Sequence, residues 1–139
     1  EMCIRDSPYN TFFTVDDLHY LHNGGRLSKS AAVLGSIINI KPILFVDNNG
    51  ELKLADKVRG RKKSLLYLIS KTISDISPHG KDIVMISHCD CEEDAMYIYS
   101  HLKENIDIKE IMVNQIGPTI GSHSGPGTLA VYYESAKRE

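Results

Sequence analysis

The chain has 139 residues, 42% of them hydrophobic and 24% charged, enough for one domain with a real core and hardly for two. A formal net charge of -2 gives no general attraction to nucleic acid or to an acidic membrane surface, and no stretch is apolar over a bilayer's width. Three cysteines, an odd count, do not form a disulfide framework, so a reducing cytoplasm is the expected setting.

Taken in chain order, residues 1–7 (EMCIRDS) are too short and too charged for a signal peptide and share no pattern with the rest of the chain. They read as a junction segment, and residues 8–139 as a single domain. TFFTV, residues 11–15, is a β-prone run. Asp16 or Asp17 offers an N-cap for a short helix carrying Leu18 and Leu21, which Asn23, Gly24 and Gly25 end. Ser28 caps a second expected helix over 29–38, apolar or small almost all round and therefore buried. Pro42 opens a strand over 43–46. Asp47-Asn48-Asn49-Gly50 turns it back into a return strand over 51–58. Leu65, Leu66, Ile69, Ile73 and Ile76 recur at helical spacing over 61–76, and Ser77-Pro78-His79-Gly80 breaks that helix.

The continuous apolar run 83–86 reads as an interior strand. Asp90 and Glu93 resemble a capping box, starting a helix with Ala95, Ile98, Tyr99 and Leu102 on one face. Residues 106–113 alternate like a strand, a glycine-rich loop comes next, and 128–133 form the last strand. The order β-α-α-β-β-α-β-α-β-loop-β gives a mixed α/β (α+β) domain. Its sheet is expected to be mixed or largely antiparallel and covered by helices.

Five features bear on chemistry. In IGSHSGPG, residues 120–127, glycines permit close approach of backbone. His123 between Ser122 and Ser124, ahead of Gly125, can donate hydrogen bonds to a carboxylate or phosphate; the segment can equally be a plain strand connection. GGRLSKS, residues 24–30, puts Arg26 ahead of a helix N-terminus, where anions are favoured; a Schellman-type helix end explains it as well. VRGRKK, residues 58–63, sets Arg59, Arg61, Lys62 and Lys63 where a helix begins. Positive charge there opposes the helix dipole and suggests either an acidic partner or a solvated basic face. SHCDCEED, residues 87–94, holds His88, Cys89, Asp90 and Cys91 but lacks the second pair that a closed tetrahedral metal site needs, so no metal is expected. The apolar stretch around Leu34, Ile37 and Ile38 fits a packed core or the wall of a slot for an alkyl chain. No nucleophile elbow, paired-carboxylate pattern or dinucleotide fingerprint is present.

Three segments, VDDLHYLHNGGRLSKSAAVLGSIINIKPIL, VRGRKKSLLYLI and IGPTIGSHSGPGTLAVYY, resemble in that order and spacing the C-terminal half of DegV-family proteins. The resemblance implies a bacterial long-chain fatty-acid-binding protein. Such a protein is the non-catalytic subunit that presents an acyl carboxylate to a fatty-acid kinase for phospholipid synthesis, with no cofactor besides the lipid. It implies that His123, with Ser122, Ser124 and Gly125, holds the carboxylate, and that Arg26 sits near the ligand mouth. Leu34, Ile37 and Ile38 would line the acyl tunnel, and Arg59 and Arg61 would meet the kinase subunit. It also implies an N-terminal domain supplying Ser/Thr partners; nothing in this sequence matches that domain, so impaired binding is expected. Two other readings stay open: a small-molecule or phosphate-binding hydrolase using the His123 loop, and an interaction domain acting through its basic patch.

Overall fold

The computed structural model describes residues 9–26, 39–78 and 80–135. Six strands form one sheet: β1 (Tyr9–Thr14), β2 (Ile40–Val46), β3 (Leu52–Arg59), β4 (Ile83–His88), β5 (Glu110–Gln115) and β6 (Leu129–Glu134). Among the described residues, four α-helices accompany them: α1 (Leu18–Asn23), α2 (Arg61–Asp75), α3 (Glu92–Asn105) and α4 (Pro118–Ser124), with a 3-10 turn at Gly80–Asp82. The spatial order is β3-β2-β1-β6-β4-β5. Every neighbouring pair is antiparallel except β4 and β5, which α3 joins as a parallel crossover. The expected α+β class and largely antiparallel sheet are what the molecule has.

Alternate residues of each strand face opposite sides. Phe12, Ile43, Val131 and Tyr133 lie in one buried cluster with Leu65, Leu68 and Ile69 of α2 and Ala95, Ile98 and Leu102 of α3. Their neighbours Phe13, Leu44 and Ala130 point the other way, into a smaller cluster with Val15, Leu18 and Leu21. Two long helices therefore cover one face. Among the described residues, the other face carries only short helical segments, α1 and α4.

Local chemistry accounts for most boundaries. Asp17 caps α1, accepting from the amide of His19 at 2.8 Å. At the β2–β3 turn, the Asp47 carboxylate accepts from the amides of Asn49 and Glu51, each at 2.9 Å. Pro42, which lacks an N–H, stands just beyond the β1 pairing, where no ladder bond is asked of it. Its carbonyl takes the Thr14 hydroxyl at 2.8 Å.

Four sequence expectations need correction. The buried stripe of α2 is Ser64, Leu65, Leu68, Ile69 and Thr72, while Leu66 and Ile73 are exposed; the helix is rotated toward the small and hydroxylated residues that fit close to the sheet. Asp90 does not cap α3. It adopts a left-handed φ of 53°, the N-cap is Cys91, and no side chain bonds there. Acidic Glu92, Glu93 and Asp94 in the first turn complement the helix dipole instead. The strand expected over 106–113 is Glu110–Gln115, because residues 106–109 form the turn out of α3, where the amide of Ile108 donates to the carbonyl of Ile106 at 3.0 Å and that of Lys109 to the carbonyl of Lys81 at 2.8 Å. Finally, the glycine-rich loop contains a helix. Pro118 stands in its first turn, where its fixed φ suits it, and Gly125 ends it at φ 81°. The apolar helix expected over 29–38 lies outside the described residues, as does the junction reading of residues 1–7.

A cavity on the second sheet face

The residues of β1 and β6 that turn away from α2 and α3 form the floor of a cavity of about 550 Å³. That volume lies within the roughly 300–1,000 Å³ usual for small-molecule sites. Thr11, Phe13, Ala130 and Tyr132 make the floor, and Val46 and Leu52 extend it under the β2–β3 hairpin. Arg26, Thr119, Ile120 and His123 stand around it. Ile120 is 62% exposed, an unusual position for isoleucine that carries the apolar lining out to the solvent edge. Burial pushes the Tyr132 phenol above the ordinary tyrosine range, against the smaller opposing effect of a hydrogen bond from Ser87.

Backbone geometry brings Arg26 and His123 together. α1 ends in a Schellman motif: the amide of Arg26 donates to the carbonyl of Leu21 and that of Gly25 to His22, both at 2.9 Å. The Arg26 guanidinium then folds back, and Nη1 donates to the Gly24 carbonyl at 2.5 Å. His123 lies in the last turn of α4 with its ring against Gly24, where a Cβ would come within 2.6 Å of Nδ1. Just beyond the end of α4, Gly125 accommodates the ring of Tyr20, which a Cβ there would meet at 2.5 Å. The helix end and the His123 segment, far apart in sequence, thus form one contact surface.

The predicted site residues divide accordingly. Arg26, His123 and Ser124 line the same cavity. The Ser124 hydroxyl already donates to the carbonyl of Ile120 at 2.9 Å. Ser122 is exposed, and its hydroxyl donates to Thr119 at 3.0 Å. Gly125 lies beneath Tyr20 rather than on the cavity wall. Leu34, Ile37 and Ile38 fall outside the described residues. Sequence reasoning missed Thr11, Phe13 and Tyr132. The signal was the alternation within β1 and β6, which names two faces without saying which of them is open.

Arg59 and Arg61 have different surroundings. Arg59 is exposed at the end of β3. Arg61 is tied down: Nε meets Asp94 at 2.8 Å and Nη1 meets Asp16 at 3.3 Å. Asp16 also holds Lys41 at 3.0 Å. These carboxylates offset positive charge that would otherwise oppose the dipole of α2.

The SHCDCEED segment borders a second cavity of about 400 Å³, lined by His88, Asp90, Cys91, Glu92, Glu93, Asp94 and Gln115. His88 is buried, and its Nδ1 accepts from the amide of Cys91 at 3.4 Å. Burial raises the Cys91 thiol above its ordinary range; Arg61 nearby opposes this and is outweighed. Among the described residues, no three His, Cys, Asp or Glu side chains are placed to hold a metal ion. Among the same residues, no helix is long and apolar enough to cross a membrane.

The fold and site together define a mostly antiparallel α+β sheet with helices packed on one face and a ligand-sized cavity on the other. The chain belongs to the DegV family: residues 5–136 match the family described as "Uncharacterised protein, DegV family". A DegV domain-containing protein of Clostridium perfringens is 42% identical over 128 residues, which cover 92% of this chain and 44% of that protein. A solved structure of a DegV-family protein from Ruminococcus gnavus, described with vaccenic acid, superposes with a TM-score of 0.79 at 30% identity, covering 91% of this chain and 45% of that one. A fatty-acid-binding DegV-family protein from Streptococcus agalactiae superposes with a TM-score of 0.81 at 28% identity, covering 94% of this chain and 46% of that one. The chain spans less than half the length of these relatives.

Proposed function

We propose that this chain binds a long-chain fatty acid, the alkyl chain lying in the cavity beside β1 and β6 and the carboxylate near His123 and Arg26. The observation that carries this reading is the cavity's composition. Its floor is built from apolar and aromatic side chains, and an imidazole and a guanidinium stand at its edge. A fatty acid has that same division, a long apolar body with one anionic end. The vaccenic acid named with the R. gnavus protein and the fatty-acid binding named for the S. agalactiae protein support the same ligand class. Among the described residues that line the cavity, no Asp, Glu or Cys stands beside His123 to share acid–base work with it, which favours holding a ligand over relaying a proton. We read the role as that of a non-catalytic carrier whose ligand is the fatty acid itself. The rest of the carboxylate site, by resemblance, comes from Ser/Thr residues of a second domain.

The test is direct. Lipid extracted from the purified protein and identified by mass spectrometry is expected to be a long-chain fatty acid. His123→Ala is expected to weaken oleate binding, measured by titration calorimetry, by about 1–3 kcal/mol, the range for losing a hydrogen bond to a charged group. Unchanged affinity would remove His123 from the carboxylate site.

The proposal extends to a partner, a fatty-acid kinase subunit that receives the carboxylate. Arg59, Lys62 and Lys63 are exposed where β3 passes into α2, and they offer that partner a basic surface. Arg59→Glu is expected to abolish kinase-dependent acyl-phosphate formation and leave oleate affinity unchanged, because the Arg61 ion pairs are untouched. Arg61→Glu would also break the pairs to Asp94 and Asp16, so it cannot separate docking from folding. Kinase-dependent turnover that survives Arg59→Glu would rule this surface out.

A further inference from the structure

We infer that Gly24 is the positioning residue of the cavity edge: its backbone seats the His123 imidazole and the Arg26 guanidinium together, setting the spacing between them. This rests on the carboxylate reading above and adds how the site is held. The carbonyl of Gly24 accepts from Nη1 of Arg26 at 2.5 Å. The Cα side of the same residue faces His123, where a Cβ would lie 2.6 Å from Nδ1, 3.2 Å from Cγ and 3.3 Å from Cβ of the histidine. Such a contact is far inside van der Waals distance, so any side chain at this position must displace the ring.

The requirement for glycine here is purely one of space. Gly24 has φ -76° and ψ -1°, ordinary right-handed helical values that alanine adopts freely. Alanine at a helix end is not penalised by propensity either. The neighbouring Gly25, by contrast, is held at φ 71° by the Schellman turn, and a Cβ there meets nothing within 4 Å. Of the two glycines in the GGR motif, the second serves the turn and the first serves His123. Arg26 depends on both, because its amide closes the motif and its guanidinium returns to the Gly24 carbonyl. The motif therefore acts as a platform for the histidine, with its arginine folded onto that platform.

The test compares Gly24→Ala with Gly50→Ala, which strains the distant β2–β3 turn at φ 78° and meets nothing within 4 Å. The first readout is the imidazole resonances of His123 in the ligand-free protein, assigned by their loss in His123→Ala. Gly24→Ala is expected to shift them, and Gly50→Ala to leave them in place while lowering the melting temperature. The second readout is oleate affinity by calorimetry. Gly24→Ala is expected to weaken it about tenfold, the factor that goes with one lost hydrogen bond to a charged group. In a His123→Ala background the same change is expected to add little. Unmoved His123 resonances in Gly24→Ala overturn the inference. So does a shifted ring with unaltered oleate affinity. Failure of the unsubstituted chain to bind oleate counts against the fatty-acid reading instead, and the resonance shift then decides the seating of the ring.

Discussion

Replacing Thr11 with tryptophan is expected to cut oleate affinity by about 3 kcal/mol or more, roughly a hundredfold. Thr11 stands at the middle of β1, opposite Tyr132, on the floor of the cavity. An indole there occupies space that the alkyl chain would fill. Each methylene kept in water forfeits about 0.8 kcal/mol, so about four displaced methylenes account for the loss. The folded state should tolerate the change, since the ring enters a cavity instead of a packed core and tryptophan suits a strand. Calorimetric titration with oleate measures the first effect, and thermal melting by circular dichroism checks the second. If tryptophan at this position leaves oleate affinity where it was, the acyl chain lies elsewhere.

Leu68→Ala is expected to destabilise the protein by about 2–5 kcal/mol, whereas Leu66→Ala should cost no more than about 0.5 kcal/mol. Leu68 is fully buried against the sheet; Leu66, two residues earlier on the same helix, is 39% exposed. The two substitutions remove the same atoms and change helix propensity equally, so the difference between them reports burial alone. Urea unfolding monitored by circular dichroism gives both values. Equal losses would mean that α2 packs through a different face.

That pair also marks how far periodicity can be read. The segment 61–76 carries apolar residues almost all round, so spacing identifies a helix without fixing which stripe is buried. Leu65 and Ile69 belong to the buried stripe, but so do Ser64 and Thr72. The Thr72 hydroxyl donates to the carbonyl of Leu68 at 2.8 Å, which lets a polar residue occupy a core position. Similarly, α4 carries its own signals, proline in the first turn and glycine beyond the end. The serines and glycines between them favour turns locally, and only the Ser122 and Ser124 hydroxyl bonds to the carbonyls of Thr119 and Ile120 show how the helix accommodates them.

The sequence by itself determined most elements and their boundaries to within a few residues, the capped start of α1, the Asp47 turn, and the family to which the motifs belong. The family follows from the likeness of whole motifs, and the elements and turns from local chemistry: hydrogen-bond caps, turn residues and the repeat distance of helix or strand. Tertiary structure decided which sheet face bears the cavity among the described residues, and which side chains share it. It placed Arg26 and His123 at one cavity edge with Gly24 against the imidazole, and it turned Arg61 inward to Asp94 while Arg59 stayed exposed. Those outcomes depend on which strands become neighbours. Pairing β1 with β6 sets the face opposite α2 and α3, and a missing Cβ at Gly24 lets a distant imidazole settle against the end of α1. No local pattern encodes such meetings, because the energy that favours them arises only when the segments pack together.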